Sequence, residues 1–380
     1  MADALLLRAL KGQPKSLNLS SKNLLKVPKL IGKLQGLNNL QLKNNKIHDL
    51  PVEFSALTKL VALNIGNNNL EEIPELLGQL HSLETLHLFG NKIQKLPNKV
   101  LGGLRNLTFL NLNNNDLRTV TPTINKLVNL QYLSLDGNNL TSLPSELCAI
   151  SSLTELHAAN NQLTALPLEI GFLVNLTKLY LQKNKIRELP EGIGKLYNLQ
   201  VIDVAANDLR IFPTELHKLP LQELYCEENP LIDRLPIQSV QEEEVLTLKE
   251  ICARFIMAEL KTSLKHGSRC YSSVSQSIRS ALNTPNWNTL GDSPVDDRWS
   301  YLRIAIRHYP SVKEMLGQAS KCAFCNRSFL NTWLECVTFV DAKKDLKTIN
   351  SPGRIPIRAL LCSYKCFNSP GHRYYGVAFP

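Results

Sequence analysis

An α/β repeat solenoid followed by a small cysteine-stapled module is the fold this chain predicts, and three observations predict it. A spelling of the form L-x-x-L-x-L-x-x-N-x-L recurs about ten times between Leu17 and Leu231. Its key asparagines, Asn45, Asn68, Asn91, Asn115, Asn138, Asn161, Asn184, Asn207 and Asn229, are spaced by 23 residues, once by 24 and once by 22, with Lys22 in the first slot. After the repeats, two close cysteine pairs stand in an otherwise cysteine-poor chain.

The elements follow in chain order. Residues 1–15 open with Met1-Ala-Asp-Ala-Leu-Leu-Leu-Arg-Ala-Leu, three adjacent leucines flanked by charge. That run is too short for a secretory h-region and has no cleavage site, so it reads as an amphipathic cap over the first repeat. Residues 16–240 carry the repeats. In each copy the L-x-L points both leucines to one side of a short strand, and the intervening residues to the other. The asparagine amide satisfies backbone groups that no strand ladder reaches. A proline (Pro28, Pro51, Pro74, Pro97, Pro144, Pro167, Pro190 or Pro213) opens the convex segment of most copies, where its missing N–H costs little. Copy five is irregular at Thr119-Val-Thr-Pro122. One copy cannot bury its own apolar face, so stacking must stabilise it. Period and spelling together are the signature of a leucine-rich-repeat solenoid.

A solenoid presents its strand residues on a concave face. The outward positions include Gln41, Lys43, Asn64, His87, Phe89, Phe109, Asn111, Tyr132, Asp136, His157, Tyr180, Asp203, Tyr225 and Glu227. Aromatics where water is expected are typical interface anchors, so His87, Phe89, Phe109, Tyr132, His157, Tyr180 and Tyr225 form the expected client site. The alternative is that these rings only pack on one another across strands.

Residues 245–261 read as an amphipathic helix. Thr247 and Glu250 form a capping-box pair, and Leu248, Ile251, Cys252, Phe255, Ile256 and Leu260 make an apolar stripe. Residues 262–297, rich in Ser, Asn, Asp, Gly and Pro, read as a flexible insertion. Residues 298–380 hold a helical stretch from Tyr301 to Met315 and then the cysteine module.

In that module, Cys322-Ala-Phe-Cys325 and Cys362-Ser-Tyr-Lys-Cys366 supply four thiolates, separated by 36 residues. A C-x2-C knuckle grips one side of a tetrahedral ion and the second pair the other, which is the ligand count of a structural zinc. Trp333–Val340 and Ile355–Leu361 read as two strands between the pairs. Cys336 belongs to the strand pattern, and Cys270 and His372 are isolated. A module this small needs such a staple. A catalytic zinc would need an open position and a working His or Glu, which the pattern lacks.

No apolar run approaches a membrane span. The scattered cysteines, without cysteine-rich flanking caps, fit a reducing, intracellular compartment, the cytoplasm first and the nucleus second. The net charge of +10 is spread out, although the tail from Lys321 carries nine Lys/Arg against Glu335, Asp341 and Asp345. No nucleophile–base pair, phosphate loop or carboxylate pair stands outside the repeat pattern, so an enzyme is disfavoured.

Three sets of residues carry family resemblances. Leu86-His-Leu-Phe-Gly-Asn91 and Glu223-Leu-Tyr-Cys-Glu-Glu-Asn-Pro-Leu231 in the repeats, with Trp333-Leu-Glu-Cys-Val337 and Leu361-Cys-Ser-Tyr-Lys-Cys-Phe367 in the tail, resemble one line of the leucine-rich repeat-containing proteins. That resemblance runs over the whole chain except 262–297. The tail is similar, more loosely, to those of leucine-rich repeat-containing proteins 58 and 28. The last cysteine pair resembles that of treble-clef zinc fingers. Finally, Thr247-Leu248-x3-Cys252-x3-Ile256 resembles an Elongin-binding BC box, in which Leu enters a pocket on Elongin C. A cullin-selecting box should follow, and Tyr309-Pro310-Ser311-Val312-Lys313-Glu314-Met315-Leu316 matches it only in part. The resemblance implies a non-enzymatic substrate receptor that joins a protein client to Elongin B/C and a cullin. An intracellular signalling scaffold is the second expectation, with the 247–260 helix then a cap on the last repeat. A nucleic-acid-binding zinc protein is the third.

Overall fold

The computed structural model describes residues 2–232, 250, 252–254, 256–258, 316, 319–330, 334–346, 348, 353–367, 369 and 374–376. The expected insertion at 262–297, the 301–315 helix, the partial cullin box up to Met315, Thr247, Leu248, Cys270 and His372 lie outside the described residues.

The chain divides into two compact units, Met1–Asp233 with Phe339–Ile357, and Arg234–Thr338 with Arg358–Pro380. In the first, helix α1 (Ala2–Gly12) covers the first repeat, burying Leu6 and Ala9. Ten three-residue strands follow: β1 (Ser16–Asn18), β2 (Asn39–Gln41), β3 (Ala62–Asn64), β4 (Thr85–His87), β5 (Phe109–Asn111), β6 (Tyr132–Ser134), β7 (Glu155–His157), β8 (Lys178–Tyr180), β9 (Val201–Asp203) and β10 (Glu223–Tyr225). They form one parallel sheet in sequence order. Register follows the period, with Leu40 opposite Leu63, Leu63 opposite Leu86, and Leu86 opposite Leu110 across the 24-residue step. The convex segments are single 3-10 turns such as Lys29–Lys33 and Glu191–Lys195. The long copy instead has helix α2 (Asn98–Gly103), between β4 and β5, where the additional residue is absorbed.

Between these layers the inward leucines from Leu40 to Leu224 are buried, whereas Leu17 and Leu24 of the first copy are only partly so. The asparagines join the copies. Asn68 Oδ1 accepts from Ile47 N–H at 3.0 Å, while its Nδ2 donates to the carbonyls of Ile65 and Leu42, both at 3.0 Å. The same pattern recurs at Asn91, Asn138 and Asn184. Leaving one such buried backbone group unpaired would cost about 1–3 kcal/mol. The residue before each ladder asparagine turns the chain with positive φ: Asn44, Asn67, Gly90, Asn114, Gly137, Asn160, and less comfortably Lys183 (φ 58°), Ala206 (φ 54°) and Glu228 (φ 57°).

The last repeat is closed by residues from far along the chain. Ala342, Leu346, Ile355 and Ile357 are buried in the same core as Phe212 and Leu224. Phe212 pairs with Ile357, and its N–H donates to Pro356 O at 3.0 Å. This differs from the expected run of domains, which kept all of 298–380 apart from the repeats and offered the 247–260 helix as the alternative cap. Apolar residues of the 339–357 stretch fill the open end because the last leucine layer has no further copy to cover it.

The second unit contains β11 (Ser320–Lys321) antiparallel to β12 (Ser328–Phe329), and parts of β13 (Leu334–Asp341) and β14 (Arg354–Leu361), which the chain shares with the first unit. Helix α3 (Tyr364–Phe367) follows, then β15 (Tyr375–Gly376), which pairs antiparallel with β13. Helical residues 250, 252–254 and 256–258 belong here too.

Candidate functional site

Side chains at the first and third positions of each three-residue strand point away from the leucine core. Across β4–β8 they bring five rings into one ribbon. His87 lies 4.8 Å from Phe109, which stacks flat on Tyr132 at 4.3 Å; Tyr132 lies 4.9 Å from His157, and His157 stacks on Tyr180 at 4.4 Å. The ribbon steps diagonally where Phe109 and Tyr132 hold the first strand position and His87 and His157 the third. All five rings are half-buried: they pack on one another and still present a face to water. Phe89 meets His87 edge-on at 6.2 Å, with Lys43 Nζ 5.2 Å from its ring centre. It rests on Gly66, where any Cβ would meet the ring. Tyr225 stands outside the ribbon, opposite Asp203, with its hydroxyl donating to Glu223 at 2.9 Å.

Charge surrounds the ribbon. His157 lies 3.9 Å from Asp136 and 3.5 Å from Glu155, which pairs with Lys178 at 2.9 Å. Burial raises the Asp136 carboxyl, against the Ala159 N–H that binds it at 2.7 Å. Burial also pushes Glu155 upward, but hydrogen bonds from Lys178 and His157 outweigh it and hold the group below its ordinary value. Burial, then Lys43, lowers His87, and among the described residues no hydrogen-bond partner reaches its Nδ1. Glu155 and Lys178 were missed in the sequence, although they hold the same strand position as Phe109 and Tyr132.

The four expected cysteines come together. The Sγ atoms of Cys322, Cys325, Cys362 and Cys366 lie within 4.8 Å of one another, and Cys362 is 3.6 Å from both Cys325 and Cys366. Four sulfurs at about 2.3 Å from a tetrahedral ion stand about 3.8 Å apart, so the cluster can hold a metal ion. The knuckle turns at Asn326 (φ 60°), with Cys322 N–H bonded to Arg327 O at 2.9 Å. Cys362 follows β14, and Cys366 lies in α3. A hydrogen bond from Cys362 pulls the Cys322 thiol down to about 4, while the bond to Cys322, then burial, pushes Cys362 up. Protons shared among like groups in this way are what a cation would replace. Cys336 is a buried thiol pushed by burial to about 12, and it stands outside the cluster.

The helical segment corrects one expectation. Its described buried residues are Glu250 and Ala253, whereas Cys252, placed in the apolar stripe, is exposed and Ile256 half-buried. The Glu250 carboxylate accepts from Leu330 N–H at 3.1 Å and from Arg254 at 2.6 Å, and Arg254 also donates to Cys362 O at 2.8 Å. Polar anchoring to the cysteine module, which no apolar period reveals, decides which face of this helix is inward.

The match to the model "Leucine-rich repeat region" covers residues 12–95 and 119–243, and "Leucine Rich repeats (2 copies)" covers 81–122. A Xenopus laevis protein, leucine-rich repeat-containing protein 69, is 52% identical over 378 residues, spanning 100% of this chain and 99% of its own length. The chain belongs to the leucine-rich repeat-containing protein 69 family. The human protein of that name is 39% identical over 158 residues, 42% of this chain and 35% of its own length. Among solved structures, the repeat ectodomain of a plant membrane receptor kinase from Arabidopsis thaliana, in complex with CASPARIAN STRIP INTEGRITY FACTOR 2, is 33% identical with a TM-score of 0.51, covering 57% of this chain and 27% of that one. As a member of a leucine-rich-repeat family, the chain is a protein-interaction protein. No helix among the described residues is long and apolar enough to cross a membrane.

Proposed function

We propose that this chain is a non-enzymatic receptor that holds a protein client against the concave face of its sheet. The observation that carries this reading is the ring ribbon from His87 to Tyr180, half-exposed across five adjacent strands. Aromatic faces kept partly wet on a rigid scaffold are preformed anchors for a partner. The related plant ectodomain, solved in complex with another molecule, is in keeping with it.

The finer reading is a substrate receptor for an Elongin B/C cullin–RING ubiquitin ligase. What favours it over a plain scaffold is the exposed Cys252, with the half-buried Ile256 one turn on, while Glu250 and Ala253 are buried. Of the box residues that are described, Cys252 is thus free to meet a partner. The metal of the cysteine cluster is read as a structural zinc, because four thiolates in tetrahedral spacing suit that ion and fill its coordination. The eight described cysteines are free, in keeping with a cytoplasmic or nuclear setting. Acidic groups beside the ribbon argue against nucleic acid on that face.

Affinity purification with mass spectrometry tests both parts. Phe109→Ala/Tyr132→Ala should remove co-purifying clients, and Leu248→Ala/Cys252→Ala should remove Elongin B/C at unchanged solenoid melting. Partners that stay with the first variant end the concave-face reading. Failure of wild type to recover Elongin in cells that express it ends the ligase reading and leaves the scaffold.

A further inference from the structure

We infer that the concave face from β6 to β10 takes an extended, arginine-bearing segment of its protein partner. The inference rests on the client-binding reading above and adds the chemistry of the client. The chain as a whole carries +10, yet this part of its sheet is acidic. Asp136, Glu155, Asp203, Glu223 and Glu227 all stand at outward strand or strand-end positions and are half-buried or exposed. Facing them are Lys178 and His157, and both are engaged with Glu155.

Near the end of the sheet Asp203 closes β9 and Glu227 follows β10, the next strand. Asp203 lies in register between Tyr180 and Tyr225, on neighbouring strands. Among the described residues neither Asp203 nor Glu227 has a salt bridge. Burial first, then the like charge of Glu227, raises the Asp203 carboxyl. A cation brought from outside would relieve that repulsion. The rings decide which cation. A guanidinium is planar, lies flat on an aromatic face and binds carboxylates through two donors at once, whereas an ammonium does neither as well. Tyr180 offers such a face one strand from Asp203 and two from Glu227.

Length follows from strand spacing. Four steps of about 4.8 Å from β6 to β10 span about 19 Å, which about six extended residues cover. The positive charge elsewhere on the chain works against non-specific capture of such a segment, so binding must come from this face.

The test titrates the full chain into labelled nona-arginine, nona-lysine and nona-glutamate, followed by fluorescence anisotropy at about 0.15 M salt. Nona-arginine should bind most tightly, nona-lysine at least about threefold more weakly and nona-glutamate not at all. Asp203→Asn/Glu227→Gln should weaken nona-arginine at least about tenfold. These changes keep shape, and the amide oxygen introduced at position 203 can still accept from Ala205 N–H, as the Asp203 carboxylate does at 3.1 Å; circular dichroism melting checks that the repeats are intact. Nona-arginine bound no better than nona-glutamate, or bound equally by the double variant, overturns the inference. If clients are lost from Phe109→Ala/Tyr132→Ala while nona-arginine ignores Asp203→Asn/Glu227→Gln, the concave reading stands and this one falls.

Discussion

The repeats and the cysteine module bury the same kinds of side chain but keep them in place by different means. In the repeats each leucine layer is covered by an almost identical neighbour, and each asparagine bonds to backbone two copies deep. Among the described residues of the tail, the buried cluster around the cysteines is Cys322, Phe329, Cys336, Ala359, Leu361, Cys362, Cys366 and Phe367, and half of it is thiol. The difference teaches that periodicity supplies its own cover, whereas an aperiodic module of this size relies on bonds that are individually strong. Glu250, fully buried and bonded to Leu330 and Arg254, is another such bond.

The largest expected effect falls on the module. Structural zinc sites contribute about 10–16 kcal/mol in small peptides, so Cys362→Ser should reduce bound metal from about one per chain to none. Residues 321–338 and those from 358 onward should then become protease-sensitive while repeat circular dichroism persists. Wild type without metal and with a protease-resistant tail would remove the contrast altogether.

A smaller effect sharpens the boundary. Ile357 is fully buried in the repeat core although it lies in the tail sequence. Ile357→Ala should therefore lower the unfolding free energy of the solenoid by about 2–5 kcal/mol and leave metal content unchanged. Denaturant unfolding followed beside metal analysis separates the two. Equal solenoid stability in variant and wild type would return 339–357 to the module.

The smallest effect probes the repeat's own irregularity. Ala206 holds a left-handed position that Asn or Gly fills in most other copies. Left-handed backbone costs a non-glycine residue about 1–2 kcal/mol, and glycine loses about 0.5–1 kcal/mol in entropy, so Ala206→Gly should stabilise by up to about 1 kcal/mol. A lower melting temperature would mean that the methyl group packs better than its backbone suggests.

Much of this was legible in the sequence, for reasons that follow the same divide. Leucines and asparagines recur at a fixed step, so their burial and the ladder could be read from any one copy. The cysteine pairs are close enough to announce a ligand set. The ribbon was legible only as separate outward rings; its continuity needs strand register, because Phe109 and His87 occupy different positions on neighbouring strands. Ala342, Leu346, Ile355 and Ile357 belong to no period, so nothing local assigns them to the repeats. The burial of Glu250 was not legible because an apolar rhythm is silent about a carboxylate that is buried by its partners.

The 24-residue copy has a consequence for how such a chain changes over generations. Its additional residue is accommodated at α2 on the convex side, while Leu86 still faces Leu110 and Ile93 N–H still reaches Asn115 Oδ1 at 3.1 Å. Insertions on that side leave the sheet in step, and the gain or loss of an entire copy leaves every ladder bond with a partner. A lineage can thus add, drop or shuffle whole copies and inherit a new arrangement of rings and charges on an unbroken sheet, with recombination rather than point substitution as the quicker route to a different client.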